Sequence, residues 1–214
     1  RLGKMMAGGA GSFALNGQAA TFLRTLRLGA SAGSFALTGQ AATLTYAPGA
    51  SWQTVLTVPI IGNSAGWNGY TIRQWLSKTT YAASGGSKIR ITLEAGSTAG
   101  FTIDDCFIGY GAASGDAYDF DATPTRLTFS GSNGATVSAG GALVSDELPF
   151  SLDPSKDLIV SAHFSSTSSV ANVASSSGSH QGYYRSGVNQ AGTVDVSGYT
   201  TSRSYLVSKV EILV

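Results

Sequence analysis

The chain has 214 residues, of which 43% are hydrophobic and 12% are charged, and its formal net charge at pH 7 is +1. This hydrophobic content supports a sizeable core and excludes a disordered polymer. The near-neutral charge, with no basic cluster, excludes a nucleic-acid-binding protein. No apolar run approaches the roughly 18 residues of a membrane helix, which excludes membrane insertion. The single cysteine, Cys106, excludes an internal disulfide framework and a cysteine-rich zinc site.

A tandem repeat occupies the first part of the chain. Residues 10–21 read AGSFALNGQAAT and residues 32–43 read AGSFALTGQAAT, at an offset of 22 residues and with one difference, Asn16 against Thr38. In each copy an alternating segment precedes a pair suited to a tight turn, which predicts a short β-hairpin. Because an isolated hairpin is marginally stable in water, each needs a surface to pack on, either the rest of this chain or other copies of it. The residues predicted to make assembly contacts are Phe13, Leu15, Phe35 and Leu37.

A domain boundary is predicted at Pro48 to Ala50, where the repeat pattern ends. Residues 1–50 are therefore predicted to form an N-terminal repeat arm or docking region. Residues 51–214 contain about nine alternating segments separated by Gly- and Ser-rich turns, which predicts an all-β, antiparallel, jelly-roll-like β-sandwich. The predicted strands are Trp52–Ile61, Gly69–Leu76, Lys88–Glu94, Thr102–Tyr110, Thr125–Ser130, Ala142–Leu148, Leu158–Phe164, Gln181–Arg185 and Ser204–Val214.

The serine-rich segment 165–179 carries no clear alternation. It is predicted to be a long surface loop, and the alternative is an adaptable binding loop at the rim of the sandwich, where function often concentrates.

Nucleophilic catalysis is not expected for this chain. The sequence contains no GDS-type nucleophile block. The two histidines, His163 and His180, are predicted to be structural or solvated, and Cys106 is predicted to be a buried, inert thiol. We therefore predict a protein without enzymatic activity.

Five aspartates, Asp104, Asp105, Asp116, Asp119 and Asp121, lie within 18 residues of this charge-poor chain. Clustered carboxylates bind hard cations, so the last three are candidate ligands for Ca²⁺, although their spacing does not fit an EF-hand loop. Alternatively, they are turn-forming residues that bond to their own backbone. A third hypothesis is a glycosidase that uses two of the first four as paired carboxylates.

Aromatic residues give the binding hypothesis. Trp67, Tyr70, Tyr183 and Tyr184 are the candidates, because exposed aromatic faces with polar neighbours bind sugar rings. The Gly66-Trp67-Asn68-Gly69 sequence suggests a turn that exposes the indole. Adjacent tyrosines on one strand must point to opposite faces of the sheet, which predicts that one of the pair is exposed. Core packing is the alternative for each of these side chains.

The GSFALNGQAAT and GSFALTGQAAT units resemble repeats of virion structural proteins of bacteriophages and prophages, over residues 10–43. The segments KIRITL (88–93), LTFS (127–130), VSD (144–146) and DLIVS (157–161) make residues 85–165 similar to the β-sandwich accessory domain of SGNH-type hydrolases. The catalytic GDS block of those hydrolases has no counterpart here. The second resemblance therefore implies a sandwich with carbohydrate binding, and no esterase activity.

These observations together predict a non-enzymatic structural protein of the bacteriophage virion, an extracellular particle. The repeats would assemble subunits into a homo-oligomer, a trimer if the protein is fibre-like, and would contact other virion proteins. The sandwich would face outward as a tail fibre or receptor-binding domain for a host surface glycan, or as a capsid decoration; the aromatic loop residues favour the first. The alternative is a carbohydrate-binding accessory module of an SGNH-type hydrolase.

Overall fold

Strands dominate the residues that the computed structural model describes, which are 49–60, 62–166, 169–172 and 178–214. The predicted repeat hairpins, with Phe13, Leu15, Phe35 and Leu37, lie outside them. One 3-10 helix, Lys78–Thr80, joins the third and fourth strands, and no helix in the described part of the chain is long and apolar enough to cross a membrane. The strands are β1 Trp52–Thr57, β2 Gly62–Ala65, β3 Tyr70–Leu76, β4 Lys88–Glu94, β5 Phe101–Tyr110, β6 Thr125–Arg126, β7 Ala135–Val137, β8 Ala142–Val144, β9 Leu148–Pro149, β10 Leu158–Phe164, β11 Ser169–Asn172, β12 His180–Ser186, β13 Thr200–Ser202 and β14 Val207–Leu213.

Two antiparallel sheets form the body of the fold. One has the order β1-β14-β4-β8, with β9 also paired to β4. The other has the order β13-β12-β3-β10-β5-β6, with β7 also paired to β5. A separate two-stranded sheet joins β11 to β2. This architecture is all-β and consistent with a β-sandwich.

The core lies between the two sheets, because alternate residues of their strands are apolar. In β4 (KIRITLE) the side chains of Ile89, Ile91 and Leu93 alternate with more polar residues and are fully buried. They share one apolar cluster with side chains of the other sheet. The members contributed by that sheet include Ile72, Leu76, Phe101, Ile103, Ile108, Leu158, Val160 and Phe164.

A buried glutamine joins the two sheets across this core. Gln74 of β3 accepts a hydrogen bond from the backbone N–H of Val207 at 3.1 Å and donates one to the Val207 carbonyl at 3.4 Å. Val207 begins β14, directly after Leu206, whose φ is +70°. These two bonds satisfy the buried side-chain amide of Gln74 and tie β3 to the start of β14.

The outer face of the larger sheet is covered as well. In β10 the intervening residues Ile159 and Ser161 are as deeply buried as the core residues between them. Residues 111–124 and 187–199 lie over this face, and we call them the loop layer. They are joined to each other by a hydrogen bond from the N–H of Phe120 to the carbonyl of Val194, 3.1 Å long. The sandwich therefore has a second, smaller packed layer outside its core.

Some predicted boundaries are wrong. The serine-rich segment 165–179 is not a loop throughout, because Ser169–Asn172 pairs with Gly62–Ala65 as β11 and β2. The predicted strand Ala142–Leu148 is interrupted after Val144: the Ser145 hydroxyl accepts from the N–H of Ile91 in β4, and the Asp146 carboxylate accepts from the loop at Ser130. Backbone pairing with a distant strand accounts for the first feature, and side-chain hydrogen bonds to distant backbone accompany the second.

Gly182 provides a direct test of the sheet geometry. A Cβ atom at this position of β12 would lie 1.9 Å from the backbone oxygen of Arg203 and 2.8 Å from its carbonyl carbon. Backbone cannot yield as a flexible side chain does, so Gly182→Ala is expected to lower the free energy of unfolding by about 1–3 kcal/mol. Urea denaturation measures this change. The matched control is Gly178→Ala, where the added methyl meets no atom within 4 Å and little change is expected.

Candidate functional site

The candidate site is built on Arg73, the centre of the outer face of the larger sheet. Alternation along β3 places its side chain on that face, opposite Ser161 of β10, where it is fully buried. The guanidinium donates hydrogen bonds to the carbonyl oxygens of Tyr118 at 2.6 Å and Gln190 at 3.0 Å, and also to that of Thr193. One side chain thus holds backbone from both segments of the loop layer.

No ion pair among the described residues includes Arg73. Burial lowers the pKa of its guanidinium, and the neighbouring Tyr199 and Asp119 oppose that shift. Since an arginine is never deprotonated in proteins, the site contains a permanent buried cation, balanced by carbonyl dipoles and ring faces. The guanidinium carbon lies 4.6 Å from the ring centroid of Phe120 and 5.5 Å from that of Tyr199.

Three tyrosines form a continuous aromatic group beside this cation. The ring of Tyr118 is stacked on Tyr199, with 5.0 Å between centroids, and tilted against Tyr183 at 5.1 Å. Tyr199 is buried, whereas the other two are half-buried and present part of each ring to solvent. We call Tyr118, Tyr183 and Tyr199 the tyrosine surface. Such partly exposed rings can pack on the apolar face of a sugar.

An acidic depression adjoins the tyrosine surface. The hydroxyl of Tyr118 donates to the carboxylate of Asp116 at 2.7 Å, which links the two features directly. Asp116 and Asp195 are exposed, whereas Asp119 is buried and accepts from the N–H of Asp116 at 3.1 Å and of Val196 at 3.0 Å. The lining residues are Ala112, Ser114, Gly115, Asp116, Asp119, Phe120 and Asp195.

The hydroxyls of the tyrosine surface are donors at neutral pH. Partial burial, together with the hydrogen bond to Asp116, raises the pKa of Tyr118, and burial raises the pKa of Tyr183. Both shifts favour the protonated phenol. The tyrosine surface therefore places neutral aromatic donors beside carboxylate acceptors, a pattern suited to binding a polar ligand.

The expected exposure of Trp67 is wrong. Its side chain is only 6% exposed, because Gly66 and Gly69 adopt φ values of +89° and +73° around it and the chain between them turns the indole inward. The ring lies 4.7 Å from that of Tyr205 and 5.4 Å from each of Tyr70 and Tyr184. Its indole N–H donates to the carbonyl of Ser64 at 3.1 Å. Trp67 therefore cannot offer its face to a sugar ring.

The predicted separation of the two adjacent tyrosines is confirmed. Tyr184 packs with Tyr70 and Trp67 against the core, whereas Tyr183 contacts Tyr118 on the outer face. Both are half-buried, so the expectation that one of the pair is exposed is wrong. Of the four predicted ligand-binding residues, the structure brings only Tyr183 to the tyrosine surface.

The three predicted calcium ligands have separate partners. Asp116 binds the Tyr118 hydroxyl, Asp119 binds backbone N–H groups, and Asp121 pairs with the ammonium of Lys156 at 2.6 Å. Within the described ranges, no group of three or more His, Cys, Asp or Glu side chains is arranged to hold a metal ion. The structure does not bring this trio together as a metal centre; instead, two of its members line the acidic depression.

The remaining candidates for chemistry are engaged in structural contacts. Asp104 bonds the imidazole of His163 at 2.7 Å, and Asp105 bonds Arg126 and the amide of Asn189. A register irregularity beside His163 places the two adjacent aspartates against different partners.

His180 and Cys106 are both buried. The imidazole of His180 bonds the hydroxyl of Ser204 at 2.9 Å, and burial lowers its pKa. Burial raises the pKa of the Cys106 thiol to about 12, which makes it unreactive, as the sequence predicts.

The chain matches no known protein-family model and no curated protein. The site therefore has to be characterised by its own geometry. Sequence analysis did not single out Arg73, Tyr118, Tyr199 or Asp195. One signal was present: Arg73 is the lone cation in an otherwise uncharged strand sequence, YTIRQWL, at a position where a buried arginine needs acceptors.

Proposed function

We propose that this chain is a non-enzymatic structural protein of a bacteriophage virion, with its β-sandwich facing outward as a tail-fibre or receptor-binding domain. The N-terminal repeats are the assembly element, forming short hairpins that pair with other subunits, and the sandwich closes in a jelly-roll-like manner. The outward domain binds a glycan of the host surface. The alternative role within the virion is capsid decoration, in which the outer face of the sandwich binds no ligand.

The near-identical repeat in residues 10–43 carries this proposal. Two copies with a single difference supply equivalent apolar residues at Phe13 and Phe35, and small, nearly uncharged hairpins are suited to pairing through backbone edges. The sandwich domain gives a second line of support. Its apolar core extends from Val55 to Ile212, within the described domain. The tyrosine surface gives that domain a face with the chemistry of saccharide recognition.

The test is the mass in solution, measured by light scattering, of the full chain and of a chain beginning at Ser51. We expect the full chain to be oligomeric, at about three times the monomer mass for a fibre-like protein, and the shortened chain to be monomeric. A full-length variant with both Phe13→Ser and Phe35→Ser should behave as the shortened chain does. Circular dichroism and urea unfolding confirm that each form is folded.

Two outcomes contradict the proposal. If the full chain is monomeric, the repeats are not a self-assembly element, and the accessory module of an SGNH-type hydrolase becomes the better hypothesis. If the shortened chain has the same oligomeric mass as the full chain, assembly belongs to the sandwich and the repeats do something else.

A further inference from the structure

We propose that the tyrosine surface and the acidic depression together bind a saccharide ring that carries a protonated amine. This inference rests on the proposed function, because it names the class of glycan that the outward sandwich would recognise. Three independent features carry it: exposed carboxylates without an ion pair, aromatic rings beside them, and a scaffold that fixes both before a ligand arrives.

Negative charge is in excess at the depression. Its three carboxylates, Asp116, Asp119 and Asp195, lie near two arginines, the buried Arg73 and Arg185, whose guanidinium groups donate to carbonyl oxygens. Asp116 and Asp195 are exposed, and neither takes part in an ion pair among the residues that the structure describes. Two exposed carboxylates in one concave site attract a cation and repel an anion.

The aromatic rings favour the same kind of ligand. The face of a tyrosine ring carries partial negative charge, so it attracts an ammonium group as well as the C–H face of a sugar. Tyr118 is held in place at both ends, because its ring stacks on Tyr199 and its hydroxyl bonds Asp116.

The scaffold fixes this arrangement in advance. Arg73 binds the carbonyls of Tyr118 and Gln190, so the segment that carries Asp116 and the segment that leads to Asp195 are held by one rigid side chain. Preorganisation of this kind lowers the entropic cost of binding. An amino sugar matches the site in each respect, because it has an apolar ring face, hydroxyl groups and one positive charge. A sialylated or uronic-acid glycan has the wrong sign of charge.

The experiment compares binding of the full chain to glucosamine oligosaccharide and to the same oligosaccharide with every amine acetylated. The two ligands share their ring, and acetylation removes the charge. By calorimetry at about pH 6, where carboxylates are ionised, we expect the amine form to bind at least about fivefold more tightly. Asp195→Asn should remove most of that preference, and Tyr183→Ala should weaken both ligands. The control is Glu147→Gln, which neutralises an exposed carboxylate on the other sheet and should change neither.

The other outcomes overturn the inference. Equal binding of the two oligosaccharides would show that the carboxylates do not select charge, although glycan binding itself would stand. Binding of neither would remove the saccharide ligand. If oligolysine bound as tightly as the glucosamine oligosaccharide, the site would recognise a cationic peptide instead. None of these results bears on the solution mass, so failure of this inference is distinguishable from failure of the virion assembly role.

Discussion

Replacing Arg73 by methionine is expected to lower the free energy of unfolding by about 3–5 kcal/mol, the range for breaking a buried charged network. Methionine fills part of the same volume but donates no hydrogen bond. The carbonyl groups of Tyr118, Gln190 and Thr193 would lose a donor whose own side chain is fully buried. Each such buried, unpaired group costs about 1–3 kcal/mol. Urea denaturation of the full chain, followed by tryptophan fluorescence, measures the change.

Two matched variants make this result interpretable. Arg73→Lys keeps the charge but loses the planar fork, and should retain only part of the stability. Arg203→Met makes the same replacement at an exposed arginine, where a change within about 0.5 kcal/mol is expected. If Arg73→Met unfolded at the same urea concentration as the unaltered chain, the loop layer would not depend on the guanidinium, and Arg73 would not be the anchor of the site.

Phe164→Ala is expected to cost about 3–5 kcal/mol through a different mechanism, the opening of a cavity in the core. Phe164 is fully buried at the end of β10 and packs edge-to-face on Phe101, with 5.9 Å between ring centroids. The strand is flanked by β3 and β5 on either side, so its backbone cannot collapse into the space. The loss should appear as a lower urea midpoint with an unchanged slope.

Phe164→Leu separates cavity formation from loss of the ring contact, and should recover a large part of the stability. The surface control is Val144→Ala, at a valine that is 47% exposed, where we expect a change of less than about 0.5 kcal/mol. A loss for Phe164→Ala no greater than this control would contradict the placement of the phenylalanine between the sheets.

Strands with a clear alternation could be predicted from sequence, because one buried face imposes a period of two on the residues. Lys88–Glu94 and Leu158–Phe164 have the bounds that were expected. A period of two in β10 nevertheless predicts that its second face is exposed to solvent. In the structure Ile159 and Ser161 on that face are buried under the loop layer, which no local sequence pattern indicates. The strand in Ser169–Asn172 could not be predicted either, since its partner Gly62–Ala65 lies about a hundred residues earlier in the chain.

The candidate site was predictable only in fragments. Tyr183 followed from strand geometry, and Asp116 and Asp119 followed from their density, but as a metal site rather than as the wall of a depression. Trp67 was misplaced because a Gly-flanked turn can direct a side chain inward as well as outward. Arg73 connects the segments that carry these residues. Its partners are backbone carbonyl oxygens, and because every residue has one, no sequence pattern could identify which of them Arg73 binds.

Arg73 holds the loop layer by its backbone, not by its side chains. Because the acceptors are main-chain oxygens, the side chains at Gln190, Thr193 and Val194 can be exchanged without removing an acceptor. Mutations there can change the chemistry of the outer face while the loops keep their backbone course. A surface anchored in this way can exchange its exposed side chains without losing the contacts that hold it to the sheet.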